Sequence, residues 1–126
     1  MTMTALVVEG DESVRAGMAF ALKSAHIRVI GAGTMAEGTL RFHETTIDVA
    51  VVDLHLPACM GHKFANWLLS HKPQLPLVLT STGFYDAEQA SPIPTSHRRI
   101  ALLAKPFSAG FLLDAIQLAC ADPVDS

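Results

Sequence analysis

Asp53 closes the run Val49-Ala50-Val51-Val52, and Leu54-His55-Leu56-Pro57 with Gly61 then turns the chain away. Four apolar residues without alternation, three of them valine, read as a strand buried on both faces. A carboxylate inside such a strand would be costly to bury. Asp53 therefore belongs at the strand's carboxyl end, facing a crevice of the kind where ligands bind in open α/β sheets. There it can act as a nucleophile toward phosphorus or as a ligand to a hard cation. The alternative is a cap for the following turn, a common use of aspartate.

Other reactive groups follow other apolar runs. Glu9 and Asp11 come after Ala5–Val8, Thr80-Ser81-Thr82 after Leu77–Leu79, and Lys105 after Ile100–Ala104. If these runs are parallel strands, their carboxyl ends share one edge and the whole set gathers there. Such carboxylates attract a divalent cation, Mg²⁺ above all. A lysine and a hydroxyl beside them suit the oxygens of a phosphoryl group. The bland reading is a structural ion pair between Lys105 and Asp53.

The elements that must position these groups are legible. Val14, Met18 and Leu22 recur at helical spacing after Asp11 or Ser13 as N-cap. Ile27–Ile30 reads as a second strand and Gly31–Gly33 as a turn. Thr34 with Glu37 fits a capping box that opens a helix to about His43. A third helix is expected from Gly61 or His62 to His71, with Phe64 and Leu68 inward and Pro73 beyond its end. Tyr85–Ala90 reads as a short helix stopped by Pro92 and Pro94. Ser108 caps a last helix with Leu112, Ile116 and Ala119 on one face. Five strands alternating with helices predict an α/β fold with a parallel sheet, helices on both faces and right-handed crossovers.

Composition excludes several classes of function. The 126 residues suit one domain, with an ordered core expected over about 4–121 and short flexible tails. Half the residues are hydrophobic and the mean hydropathy is +0.34, which excludes global disorder. A net charge of −3 gives no electrostatic footprint for nucleic acid or an anionic membrane. No apolar run reaches the roughly 20 residues of a membrane span, and Met1–Thr4 does not resemble a signal peptide. Cys59 and Cys120 have no paired spacing, so neither a metal cage nor a disulfide framework is expected. The expectation is a cytoplasmic protein.

Taken together, Val7-Val8-Glu9 with Arg15, Asp53-Leu-His-Leu-Pro57 with Gly61, Ser81, and Lys105-Pro106-Phe107 resemble the receiver domain of two-component response regulators over nearly the whole chain. The resemblance implies a flavodoxin-like, doubly wound sheet of order 2-1-3-4-5. It implies that Asp53 accepts a phosphoryl group from a phosphohistidine on a sensor histidine kinase or phosphotransfer protein. Ser81 would bond a phosphoryl oxygen and Lys105 would pair with the phosphate. Mg²⁺ would be held by Asp53, the backbone carbonyl of His55, and acids after the first strand, here Glu9 and Asp11. The Lys105–Pro106 peptide is expected to be cis.

Three departures from the family pattern stand out. Gly10 occupies the second of two positions where the family carries adjacent acids; Asp11 or the longer Glu9 can stand in, or Asp11 is only a helix cap. Leu102 stands where an aromatic ring is usual. Ser91–Arg99, with two prolines, replaces a regular helix beside the family's usual output surface, and His97-Arg98-Arg99 forms a basic run there. His26, His43, His62, His71 and His97 have no metal-ligand spacing and read as surface residues, while Trp67 reads as partly exposed packing.

The resulting expectation is a single receiver domain over 1–126 that passes a phosphorylation signal to a downstream target protein, as a monomer or weak homodimer, without enzymatic turnover. The competing reading is a pseudo-receiver, an interaction module that works without phosphate or metal. A phosphohydrolase is disfavoured because His55 stands where such enzymes commonly place a second acid.

Overall fold

A computed structural model describes residues 2–82 and 99–121. Its strands are β1 (Thr4–Val8), β2 (Arg28–Ala32), β3 (Val49–Asp53), β4 (Leu77–Thr82) and β5 (Ile100–Lys105). Its helices are α1 (Glu12–Ser24), α2 (Met35–Glu44), α3 (Met60–His71) and α4 (Ala109–Cys120), with a 3₁₀ turn over Pro57–Cys59. All strand pairs are parallel, in the order β2-β1-β3-β4-β5. This is the flavodoxin-like α/β fold expected from the alternation of apolar runs. Among the described residues no helix is long and apolar enough to cross a membrane.

Two cores sandwich the sheet. Leu6, Val8, Ala50, Val52, Leu77 and Leu79 face α2 and α3, packing on Phe64, Ala65 and Leu68. Ala5, Val7, Val49, Val51 and Val78 face α1 and α4, packing on Met18, Leu22, Leu112 and Ile116. Alternate residues of one strand thus enter different cores, which is why the central strands show no polar alternation.

Helix starts follow local chemistry. The Asp11 side chain accepts the Val14 N–H at 3.0 Å, and Ser108 Oγ accepts the Phe111 N–H at 3.1 Å. Thr34 Oγ1 accepts the Glu37 N–H at 3.1 Å, but the returning Glu37 carboxylate takes the N–H of Gly33 at 3.3 Å rather than that of Thr34. At the end of α1, His26 N–H bonds Lys23 O and Ile27 N–H bonds Leu22 O, both at 3.0 Å, with His26 at φ +64°. That is a Schellman cap with a non-glycine residue in the left-handed position.

Several boundaries differ from the sequence expectation. Gly31 and Ala32 do not turn but extend β2, pairing with Val7 and Val8, because β1 offers ladder partners to its end. The Thr80–Thr82 hydroxyls lie inside β4 rather than after it, since β5 pairs with them as far as Lys105. His62 is buried, not a surface residue, because the first turn of α3 is pressed against the end of β3. Trp67 is half-buried as expected, in a ring cluster with Phe42, Phe64, His43 and His71. The expected Tyr85–Ala90 helix, the Pro92 and Pro94 loop, and His97 with Arg98 lie outside the described residues.

Candidate functional site

The carboxyl ends of β1, β3, β4 and β5 meet on one edge, and strand parity decides what they offer. Glu9 continues the β1 positions Ala5 and Val7, Asp53 follows Val49 and Val51, and Lys105 follows Ala101 and Leu103, all on the α1–α4 face. Asp53 and Glu9 are both buried, at 5% and 1% exposure. Carboxylates so placed must be paired.

Lys105 supplies the pairing. Its Nζ donates to Glu9 Oε1 in a short ion pair and lies 3.6 Å from Asp53 Oδ1. The second Glu9 oxygen accepts the Asp11 N–H at 3.0 Å, and Asp53 Oδ1 accepts the His55 N–H at 2.9 Å. Asp53 therefore caps its own turn, and it also faces the ammonium group, as the ion-pair reading of Lys105 and Asp53 expected. Arg15 Nη1 donates to Glu9 O at 2.7 Å, tying α1 to the loop after β1. The Lys105–Pro106 peptide is cis, as the resemblance implied.

Close packing behind the site explains one glycine. A Cβ on Gly61 would lie 2.2 Å from Asp53 O and 2.7 Å from Leu54 Cα, so α3 can start this close to the end of β3 only on a bare backbone. Gly10 is different: a Cβ there would meet Leu56 Cδ2 at 3.5 Å and Gly33 O at 3.9 Å, ordinary contacts. The missing acid at this position is thus not imposed by space.

The remaining candidates are placed as follows. Asp11 is exposed and its carboxylate serves the α1 N-terminus. His55 has an exposed side chain. Ser81 is buried and pairs with Ala104, and alternation carries its side chain to the face of Leu77 and Leu79, opposite that of Asp53. Leu102 is exposed on the edge strand β5. His62 is a group that sequence reasoning misplaced: burial, aided by the nearby His55 imidazole, holds its pKa below the ordinary histidine value. Cys120 is a free, half-buried thiol whose pKa is pushed up by burial, against the opposing charge of Arg99.

Among the described residues no three His, Cys, Asp or Glu side chains converge as a metal cage. Glu9 and Asp53 do converge on one cation, the Lys105 ammonium, and that pairing is the test of fit. Mg²⁺ is commonly held by one or two carboxylates while keeping several waters and taking phosphate oxygens. Two buried carboxylates supply donors of that kind, with fewer charges than a three-acid site. Glu9 and Asp53 are thus of the donor type that Mg²⁺ takes.

The solved structures to which the chain is similar share its fold at low identity. A response regulator receiver domain protein from Clostridium thermocellum superposes with a TM-score of 0.81 at 22% identity, covering 94% of each chain. The Vibrio cholerae chemotaxis protein CheY4 gives 0.79 at 21% identity, covering 93% of this chain and 98% of that one. A putative response regulator from Chloroflexus aurantiacus gives 0.79 at 22%, covering 97% and 100%. No curated protein matches the sequence. The family model for the response regulator receiver domain matches residues 5–117, which include Glu9, Asp53, Ser81 and Lys105. The chain belongs to the response regulator receiver domain family, the receiver module of two-component signalling.

Proposed function

We propose that this receiver domain is a phosphoacceptor whose nucleophile is Asp53. One observation carries the reading: the Lys105 ammonium stands against both Glu9 and Asp53, while Asp53 Oδ1 is further held by the His55 N–H. Oδ1 is thereby occupied, and Oδ2 is the oxygen left to attack. In the proposed step Oδ2 forms a bond to the phosphorus of a phosphohistidine on a sensor histidine kinase or phosphotransfer protein. The phosphorus–nitrogen bond breaks and its electron pair returns to the imidazole of the donor.

The protein's own part is positioning and charge neutralisation. Lys105 faces the charge that builds on the phosphoryl oxygens, and Ser81 closes over the end of β4 to donate to one of them. Mg²⁺, held by Asp53, Glu9 and the His55 carbonyl, would neutralise phosphoryl charge when bound. Release of the phosphoryl group to water would be slow and would not make the protein a turnover enzyme. The signal would pass to a target protein over the face that includes the exposed Leu102.

A specific pair of observations favours the pseudo-receiver as the second reading: Gly10 lacks an acid, and Asp11 spends its carboxylate on the α1 cap. Wild type and Asp53→Asn treated with a small phosphodonor, with and without Mg²⁺, separate the two by intact mass. The phosphoacceptor reading expects a Mg²⁺-dependent gain of one phosphoryl group in wild type alone. No gain at any Mg²⁺ concentration would leave the interaction module.

A further inference from the structure

Beside Asp53 stands a hydroxyl that the site described above does not use. Thr80 of β4 is the register partner of Asp53 of β3, and parity sends both side chains to the face of Val51 and Val78, beneath α1 and α4. Thr80 is fully buried, at 0% exposure, and its Oγ1 makes no hydrogen bond. Its main chain is satisfied, with the carbonyl accepting the Leu54 N–H at 2.9 Å. The side chain is not. Valine has the same shape and would fill this place without an unpaired buried hydroxyl, which is a standing cost to the fold.

The surroundings say what can relieve that cost. Neighbouring strands lie about 4.8 Å apart, so a same-face side chain in register is within reach of its partner. Lys105 comes from β5, on the far side of β4, and must cross over the Thr80 strand to stand 3.6 Å from Asp53 Oδ1. The Thr80 hydroxyl therefore sits beneath the path between the ammonium group and the phosphoacceptor. A phosphoryl group on Asp53 adds acceptor oxygens and negative charge at this point.

We propose that Thr80 Oγ1 donates a hydrogen bond to the phosphorylated side chain of Asp53, a further donor that is idle in the unmodified protein and engaged by the acyl phosphate. This rests on the phosphoacceptor reading above. Lys105 and Ser81 approach the phosphoryl group from the strand ends, and Thr80 supports it from the floor of the crevice.

The test follows phosphoryl uptake from acetyl phosphate with Mg²⁺ by intact mass in wild type, Asp53→Asn, Thr80→Val and Thr80→Ser, with melting temperatures measured in parallel. Thr80→Val is expected to melt at or above wild type, since it loses an unpaired buried hydroxyl, yet to accumulate phosphoprotein about tenfold more slowly, the size of one charge-assisted hydrogen bond. Thr80→Ser keeps the donor and is expected to stay close to wild type. Uptake by Thr80→Val at the wild-type rate overturns the inference, as does Thr80→Ser being as slow as Thr80→Val. Absence of uptake in wild type is a different failure: it removes the phosphoacceptor reading and this inference with it.

Discussion

Gly10→Asp restores the acid that the receiver pattern expects, and the structure permits its effect to be worked out in advance. The new Cβ meets only ordinary contacts, at 3.5 Å from Leu56 Cδ2 and 3.9 Å from Gly33 O, so the variant folds without rearrangement. Glu9 and Asp53 with Lys105 leave the site one net negative charge, which the substitution doubles. Position 10 is exposed, so a water-like dielectric applies. Two unit charges about 4 Å apart then attract by roughly 1 kcal/mol, and a divalent ion doubles this to about 2 kcal/mol. Mg²⁺ should bind about 30-fold more tightly. Without metal, the added repulsion should cost up to about 1 kcal/mol of stability, blunted by Lys105. Calorimetric titration of MgCl₂ into wild type, Gly10→Asp and Gly10→Asn measures the effect, with asparagine supplying the shape without the charge. A folded Gly10→Asp that binds Mg²⁺ no better than wild type, or a Gly10→Asn that gains as much, refutes the proposal that Glu9 and Asp53 form the metal site.

Three further outcomes follow from particular contacts. Gly61→Ala drives a methyl into Asp53 O and should cost roughly 3 kcal/mol in urea unfolding, well above an ordinary helix substitution; a loss under about 1 kcal/mol would contradict the packing. His26→Gly removes a left-handed strain at an exposed cap far from the site and should stabilise by about 1 kcal/mol, seen as a higher melting temperature. His62 has a folded pKa below its unfolded value, so the unfolded chain gains protons first as pH falls. Its contribution is complete above about pH 6.5 and declines as the pH drops through that value toward the lowered folded one. Urea unfolding of wild type and His62→Leu between pH 5 and 8 should show a shallower acid loss in the variant, and equal slopes would reject the assignment.

Much of the fold was legible because its signals are local. Val49–Val52 could only be a strand covered on both faces, and Asp11, Thr34 and Ser108 capped the helices that they precede. The misread segments were those whose state depends on a neighbour. Gly31 and Ala32 look like a turn until β1 pairs with them. Thr80 and Ser81 look like a polar loop until β5 does the same. His62 carries no sequence sign of burial, because what covers it is the meeting of α3 with the end of β3.

The sequence by itself determined which groups gather at one sheet edge: parallel βα alternation forces every strand's carboxyl end to the same side, and Glu9, Asp53, Ser81 and Lys105 each come at the end of an apolar run. Tertiary structure alone decided how they are used. Strand parity placed Thr80, not Ser81, on the face of Asp53, and the reach of Lys105 across β4 made it the shared partner of two buried carboxylates. The need of α1 for an N-cap took the Asp11 carboxylate. Residue type and order are one-dimensional facts, whereas pairing, burial and competition for a hydrogen bond depend on what the rest of the chain brings within a few ångströms.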